Sequence, residues 1–159
     1  MGAVILPLLL ALLLLYVLVY FARAAGRALA RSREVTRFRF EAKALLAQVD
    51  PVLESLAART DSARRQLVPP DEILDDLATG TTHLEAAEGE AEAIRAPLHG
   101  QALQAAMRDD IGRAVRAVAM IRFGCEQAAT GRGRGAELEA QTAVKRGYLN
   151  LLHARESLV

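Results

Sequence analysis

Tryptophan is absent from this 159-residue chain, cysteine occurs once, lysine twice, and only seven residues are aromatic. The lone Cys125 excludes a disulfide-stapled scaffold and fits a reducing compartment. The aromatic shortage removes the stacking platforms on which nucleic acid is gripped, and a net charge of +1 removes the cationic field it would need. It also leaves few large anchors for a deep pocket, since Phe123 and Tyr148 are the only aromatics after Phe40. No window alternates as a strand does, and none repeats at a fixed period. Disorder is excluded as well, because 52% of the residues are apolar.

That apolar fraction is unevenly spread. Within residues 1–22 only Gly2 and Pro7 are not apolar, and the rest of the chain has an ordinary soluble composition. Residues 3–22 form an uncharged run, and as a helix they would cover about 30 Å, the hydrocarbon thickness of a bilayer. Pro7 falls within the first two turns, where it costs less than in mid-helix. Tyr20 and Phe21 fall where aromatic side chains settle at the interface. A transmembrane helix over 3–22 is therefore expected, after a short external tail of residues 1–2. A cleaved secretory leader is the alternative, because Ala22-Arg23-Ala24 imitates a small-x-small cleavage site. The basic amino-terminal region typical of such leaders is missing.

The flank sets the orientation. Arg23, Arg27, Arg31, Arg33, Arg37, Arg39 and Lys43 follow the span against only Glu34 and Glu41. The positive-inside rule then keeps the amino terminus outside and the carboxyl-terminal domain in the cytoplasm, at the inner (cell) membrane. Residues 23–33 read as a basic juxtamembrane segment, with Arg23, Arg27, Arg31 and Arg33 as candidates for membrane-surface contact. Each cation near anionic headgroups contributes about 1 kcal/mol. Topology and solvation alone would also account for the cluster.

Residues 34–159 read as a cytoplasmic α-helical domain. Val35, Phe38, Ala42, Leu45, Val49, Val52 and Leu56 recur at spacings of three and four, and the stripe continues through Thr60 to Ala63 and Leu67. Asp50-Pro51 suits a helix start, so a kink or restart is expected there. Pro69-Pro70 is a stop. The section from Asp71 to Glu92 carries eight carboxylates and no Lys or Arg, and reads as two short helices. The first ends at Gly80, and the second opens at a Thr82/Glu85 capping box. Pro97 and Gly100 mark another break. The strongest amphipathic stripe lies over 101–129, through Leu103, Met107, Ile111, Val115, Val118, Ile121 and Cys125. Gly131-Arg132-Gly133-Arg134-Gly135 reads as a turn, and a last helix from Ala136 carries Leu138, Val144, Tyr148, Leu151 and Leu152. The expected helix–helix interface is thus Val35, Phe38, Leu45, Val49 and Leu56 with Leu103, Met107, Ile111, Val115, Val118 and Ile121.

The fold class expected is all-α: a single N-terminal transmembrane helix followed by an antiparallel helical bundle or long helical hairpin. With 31 alanines, the interhelical contacts should be close and shallow. Leucine and alanine seams of this kind are often completed by a second copy or by another protein.

Groups that carry chemistry are few. His83, His99 and His153 match no zinc spacing, and the Glu-x-x-His signature of di-iron bundles is missing. Cys125 falls on an apolar stripe and reads as a buried hydrophobe. The glycine–arginine turn lacks the Gly-Lys-Ser/Thr ending of a phosphate loop. The acidic section reads as a solvated face, or as a surface for cations, a basic partner or the chain's own arginines. No catalytic residue, metal or cofactor is expected, and neither a small-molecule substrate nor nucleic acid. The layout resembles the LemA-type bacterial membrane proteins in general plan. The asparagine- and lysine-bearing motif of their first soluble helix is missing between Arg33 and Leu67, and no function is carried across. Eighteen Arg against two Lys is the usage of a GC-rich bacterial genome. The function expected is a membrane-anchored, non-enzymatic helical interaction or scaffold protein at the cytoplasmic face, whose partners are the membrane and a protein or a second copy. The alternatives are a small accessory subunit of a membrane transport or secretion complex, or a secreted helical protein after leader cleavage.

Overall fold

The apolar run and the first soluble stripe are one object. In the computed structural model a single helix, α1, runs from Gly2 to Arg64 over 63 residues, which is about 95 Å at 1.5 Å per residue. The structure describes residues 2–131 and 133–158; Met1 of the expected tail, Arg132 of the turn and Val159 lie outside the described residues. The side chains of residues 2–12, including Pro7, and of Ala28 also lie outside them. Leu74–Ala93 form α2, Gln101–Thr130 form α3 and Arg134–Leu158 form α4, with 3-10 turns at Pro70–Ile73 and Leu98–Gly100. No strand occurs among the described residues.

Two expected helix ends are absent. Helix α1 passes through Asp50-Pro51 without a restart. Proline removes one backbone donor, but Asp50 is held from outside: Arg155 Nε on α4 donates to its carboxylate at 2.7 Å. Asp50 is a cross-helix partner here, not a cap. The acidic section is likewise one helix, α2, running straight through Gly80. The Thr82 hydroxyl donates to the Ala78 carbonyl at 3.2 Å, so it does not cap a new helix. Gly80 is a packing device instead. A Cβ there would fall 2.6 Å from Leu56 Cδ1, so its absence lets α2 close on α1.

The ends are chemically legible. Helix α1 closes in a Schellman arrangement, with Leu67 N–H donating to Ser62 O and Gln66 N–H to Ala63 O, both at 3.0 Å. Gln66 holds the left-handed position at φ 59° that glycine usually takes. The carboxyl end of α2 is capped from a distance. Gln104 Nε2 sits 2.9 Å from the Ala91 carbonyl, 3.2 Å from that of Glu92 and 2.6 Å from that of Ile94. One amide thereby serves carbonyls that have no intrahelical donor.

Successive helices pack antiparallel, as pairs of contacts show. Leu56 meets Gly80, Gln104 meets Ala91, Gly124 meets Val144, and Asp50 meets Arg155. Each helix touches its neighbours in sequence, α4 returns to α1, and the diagonal pair α1 and α3 barely meets. Leu53, Ile73, Leu77, Leu84, Ile111, Val118, Ile121 and Leu151 fill the centre with no exposed surface. Thr60, the polar residue on the first stripe, is also fully buried, because its hydroxyl donates to the Leu56 carbonyl at 2.7 Å.

The closest seam joins α3 to α4. Ala117, Ile121 and Gly124 face Ala140, Val144 and Gly147, with a glycine from each helix opposite backbone of the other. The aliphatic small-residue packing expected from the alanine content takes this reciprocal form.

Candidate functional site

From Leu13 to Glu34 every described side chain of α1 is exposed. The helix is long and apolar enough to cross a membrane, and it lies near the amino terminus. Phe38 is the first buried residue among the described side chains. Apolar surface left facing water forfeits about 25 cal/mol for each Å² that burial would remove. Tyr20 and Phe21 meet edge to face at 6.0 Å at the end of the apolar stretch.

Arg23, Arg27, Arg31 and Arg33 all project into open space. Helical geometry turns Arg27 about 40° and Arg31 about 80° from Arg23, and puts Arg33 about 80° to the other side. The four therefore fall within an arc of about 160°, one broad side of the helix, with Arg33 at the opposite edge from Arg31. Arg33 also lies about 15 Å along the axis from Arg23, beyond a Debye length of about 8 Å. Arg23 and Arg27 are the two nearest the apolar stretch, about 6 Å apart along the axis. Among the described residues no carboxylate pairs with any of the four, whereas Arg37 bonds Glu41 at 2.7 Å. That bond is what holds the Arg37 guanidinium's pKa above its ordinary value.

The helix-seam residues fall into three groups. Phe38, Leu45, Val49, Leu56, Met107, Ile111, Val118 and Ile121 are buried, while Val35 and Val115 are half-buried. Leu103 is 60% exposed and off the seam, because its neighbour Gln104 takes the inward position to cap α2. Leu67 and Leu138 are likewise exposed. The stripe of α1 from Val49 to Leu56 is covered by this chain's own α2 and α4, so it needs no second copy to complete it.

The charged faces stay local. Asp61 takes both Arg64 and Arg65 at 2.7 Å, and the Arg64 hydrogen bond holds the Asp61 carboxyl below the usual range. Arg64 also lies over the Tyr148 ring at 5.2 Å. Arg155 is held above its ordinary value, first by the Asp50 hydrogen bond. The acidic section does not fold against residues 23–33. Its contacts with cations are Asp76 to Arg59 at 3.1 Å, and Glu88 lying over Gly112 beside Arg116. His83, His99 and His153 are exposed on three different elements. No three metal-ligating side chains converge among the described residues.

Sequence reasoning did not anticipate a cleft of about 870 Å³ at the far end of the bundle. Helix α1 stops at Arg64, beside Tyr148, while α4 continues back to Arg134. The α3–α4 hairpin thus overshoots α1 by about 20 Å. The 65–70 connector roofs part of the overhang, and the rest is open. Cys125 lies at its floor, its thiol pushed up to about 11 by burial and then by the charge of Glu126. It stays a protonated thiol near neutral pH. The only sequence signal of this cleft was the difference in helix length. Compared with known proteins, the chain matches no protein family, no curated protein and no solved structure.

Proposed function

We propose that this chain is a single-pass, membrane-anchored helical interaction or scaffold protein without catalytic activity. Residues 3–22 cross the bilayer, the amino terminus lies outside, and the bundle stands at the cytoplasmic face. The observation that carries this reading is the stretch of α1 from Leu13 to Glu34, whose described side chains are all exposed and which changes from apolar to arginine-rich at Ala22/Arg23. Water would penalise the first half and hydrocarbon the second, so a bilayer edge at the junction satisfies both. The stalk from Arg23 to Glu34 holds the first buried layer about 18 Å or more from the hydrocarbon. In favour of a binding role, the titratable groups are dispersed while long helix faces remain open.

Alkaline carbonate extraction and protease protection on intact cells test the anchor. The chain should stay with the membrane after carbonate, and its bundle should be digested only when the cells are opened. Release by carbonate, or a mature amino terminus at Ala25 by mass measurement, would overturn the reading. Crosslinking in membranes tests the partner. Recovery of neither a second copy nor another protein counts against an interaction role. Replacing the span by an unrelated Leu-rich helix should leave partner recovery intact; loss would favour the accessory-subunit alternative.

A further inference from the structure

The overhanging cleft carries an inference independent of the membrane reading. We propose that it is a binding site for a small organic anion with an apolar body. Its volume of about 870 Å³ falls within the range of about 300–1,000 Å³ typical of small-molecule sites. Its lining divides by chemistry. Val68, Ala140 and Val144 supply an apolar wall, while Arg64, Arg134 and Lys145 supply three cations against the single carboxylate of Glu137. Arg64 is already engaged by Asp61 at 2.7 Å. Arg134 and Lys145 have no carboxylate within ion-pairing distance among the described residues. These two are three turns apart on α4, about 16 Å along the axis, so they meet opposite ends of a ligand or of the cleft mouth. The cleft also opens at the first turn of α4, whose backbone N–H groups lack intrahelical acceptors. Against Glu137 in the lining, and Glu126 and Asp61 behind Cys125 and Arg64, the two unpaired cations and the first turn of α4 bias the open cleft toward an anion. A carboxylate or sulfonate on an aromatic or aliphatic body is the chemistry that uses both the cations and the apolar wall. Cys125 lies buried beneath the floor as a protonated thiol and supplies no nucleophile to the cleft.

The test is calorimetric titration of the full chain, in phosphatidylcholine nanodiscs, with naphthalenesulfonate and with neutral naphthalenesulfonamide. Empty nanodiscs supply the baseline. Saturable one-to-one binding of the sulfonate is expected, at least tenfold tighter than the sulfonamide. The double variant Arg134→Gln, Lys145→Gln should weaken the sulfonate about tenfold, while Arg108→Gln, Arg116→Gln leaves it unchanged. No saturable heat, no preference for the anion, or equal loss in both double variants would overturn the site. So would a cleft variant that dissolves a dimer of the wild type without any sulfonate binding, because the occupant would then be a second copy. Were the double variant to unfold, Gln141→Trp, which fills the mouth from an exposed position, and the wild-type preference for sulfonate over sulfonamide still decide.

Discussion

Replacing Gly147 by alanine adds one methyl group at the tightest point between α3 and α4. Built on the backbone, that Cβ falls 2.6 Å from Ile121 Cγ1, 2.9 Å from the Ala117 carbonyl oxygen and 3.0 Å from the Ile121 nitrogen. The Ile121 side chain is fully buried and has nowhere to turn, and the two backbone atoms cannot yield without moving α3. Alanine recovers about 1 kcal/mol of helix propensity over glycine. Overpacking of a tight core costs about 1–3 kcal/mol. With two of three clashes against backbone, the upper part of that range applies, leaving a net loss of about 1–2 kcal/mol. Gly89 supplies the control, since nothing lies within 4 Å of a Cβ built there, one turn before the end of α2. Gly89→Ala should therefore stabilise by about 0.5–1 kcal/mol from propensity alone. Thermal unfolding followed by circular dichroism should move the two midpoints in opposite directions, Gly147→Ala down by about 3–6 °C. Adding Gly124→Ala, whose Cβ meets Val144 and Ala140 on the same seam, should cost less than a second independent insertion, because one separation of the helices relieves both. The reasoning fails if Gly147→Ala matches or exceeds the wild type while Gly89→Ala gains nothing.

Three further outcomes can be checked separately. Gln66→Gly should stabilise the fold by about 0.5 kcal/mol, read as a higher thermal midpoint, because glycine adopts the left-handed C′ conformation of φ 59° without strain. Cys125 should react with a thiol reagent at pH 8 only as the bundle opens. Its folded pKa of about 11 lies above the ordinary thiol value, so the stability it contributes is present below that ordinary value and is lost as pH rises toward 11. At the acid end, Asp61 works in the opposite sense. Its depressed pKa gives a contribution present above the ordinary carboxylate range and lost as pH falls through the folded value, so Asp61→Asn should flatten the low-pH limb of a stability profile.

Much of this architecture was legible where periodicity and proline agree. Pro69-Pro70, Pro97 and Gly100 bracket the elements they suggested, and the stripe of α3 lies inward from Met107 to Cys125. The misreadings share a cause. Gly80, Asp50-Pro51 and Thr82 carry strong local signals for helix ends, yet tertiary partners outweigh each of them. Leu56 fills the space that Gly80 leaves, and Arg155 reaches Asp50 across more than a hundred residues of chain. Local propensity holds no information about either. Leu103 failed for a related reason: one step along the helix, an amide that caps a neighbour takes precedence over a leucine that fits the stripe. The distal cleft depended on where α1 stops relative to α4, a comparison of lengths across helices that no single window contains. The basic segment was legible as charge, but its distribution around and along the axis, which separates Arg23 and Arg27 from Arg33, needed the helix to be continuous.

That continuity has a mechanical consequence. With the first turns of α1 held in a bilayer as proposed, residues 22 to 64 form one uninterrupted helix about 63 Å long. Transmembrane helices tilt over a range of about 0–40°, and a change of 20° at the anchor swings the far end of such a helix sideways by about 20 Å. Any alteration in bilayer thickness or in the packing around the span is thus magnified into a displacement of the outermost end of the bundle, and a ligand or partner gripping that end exerts the same leverage back on the membrane.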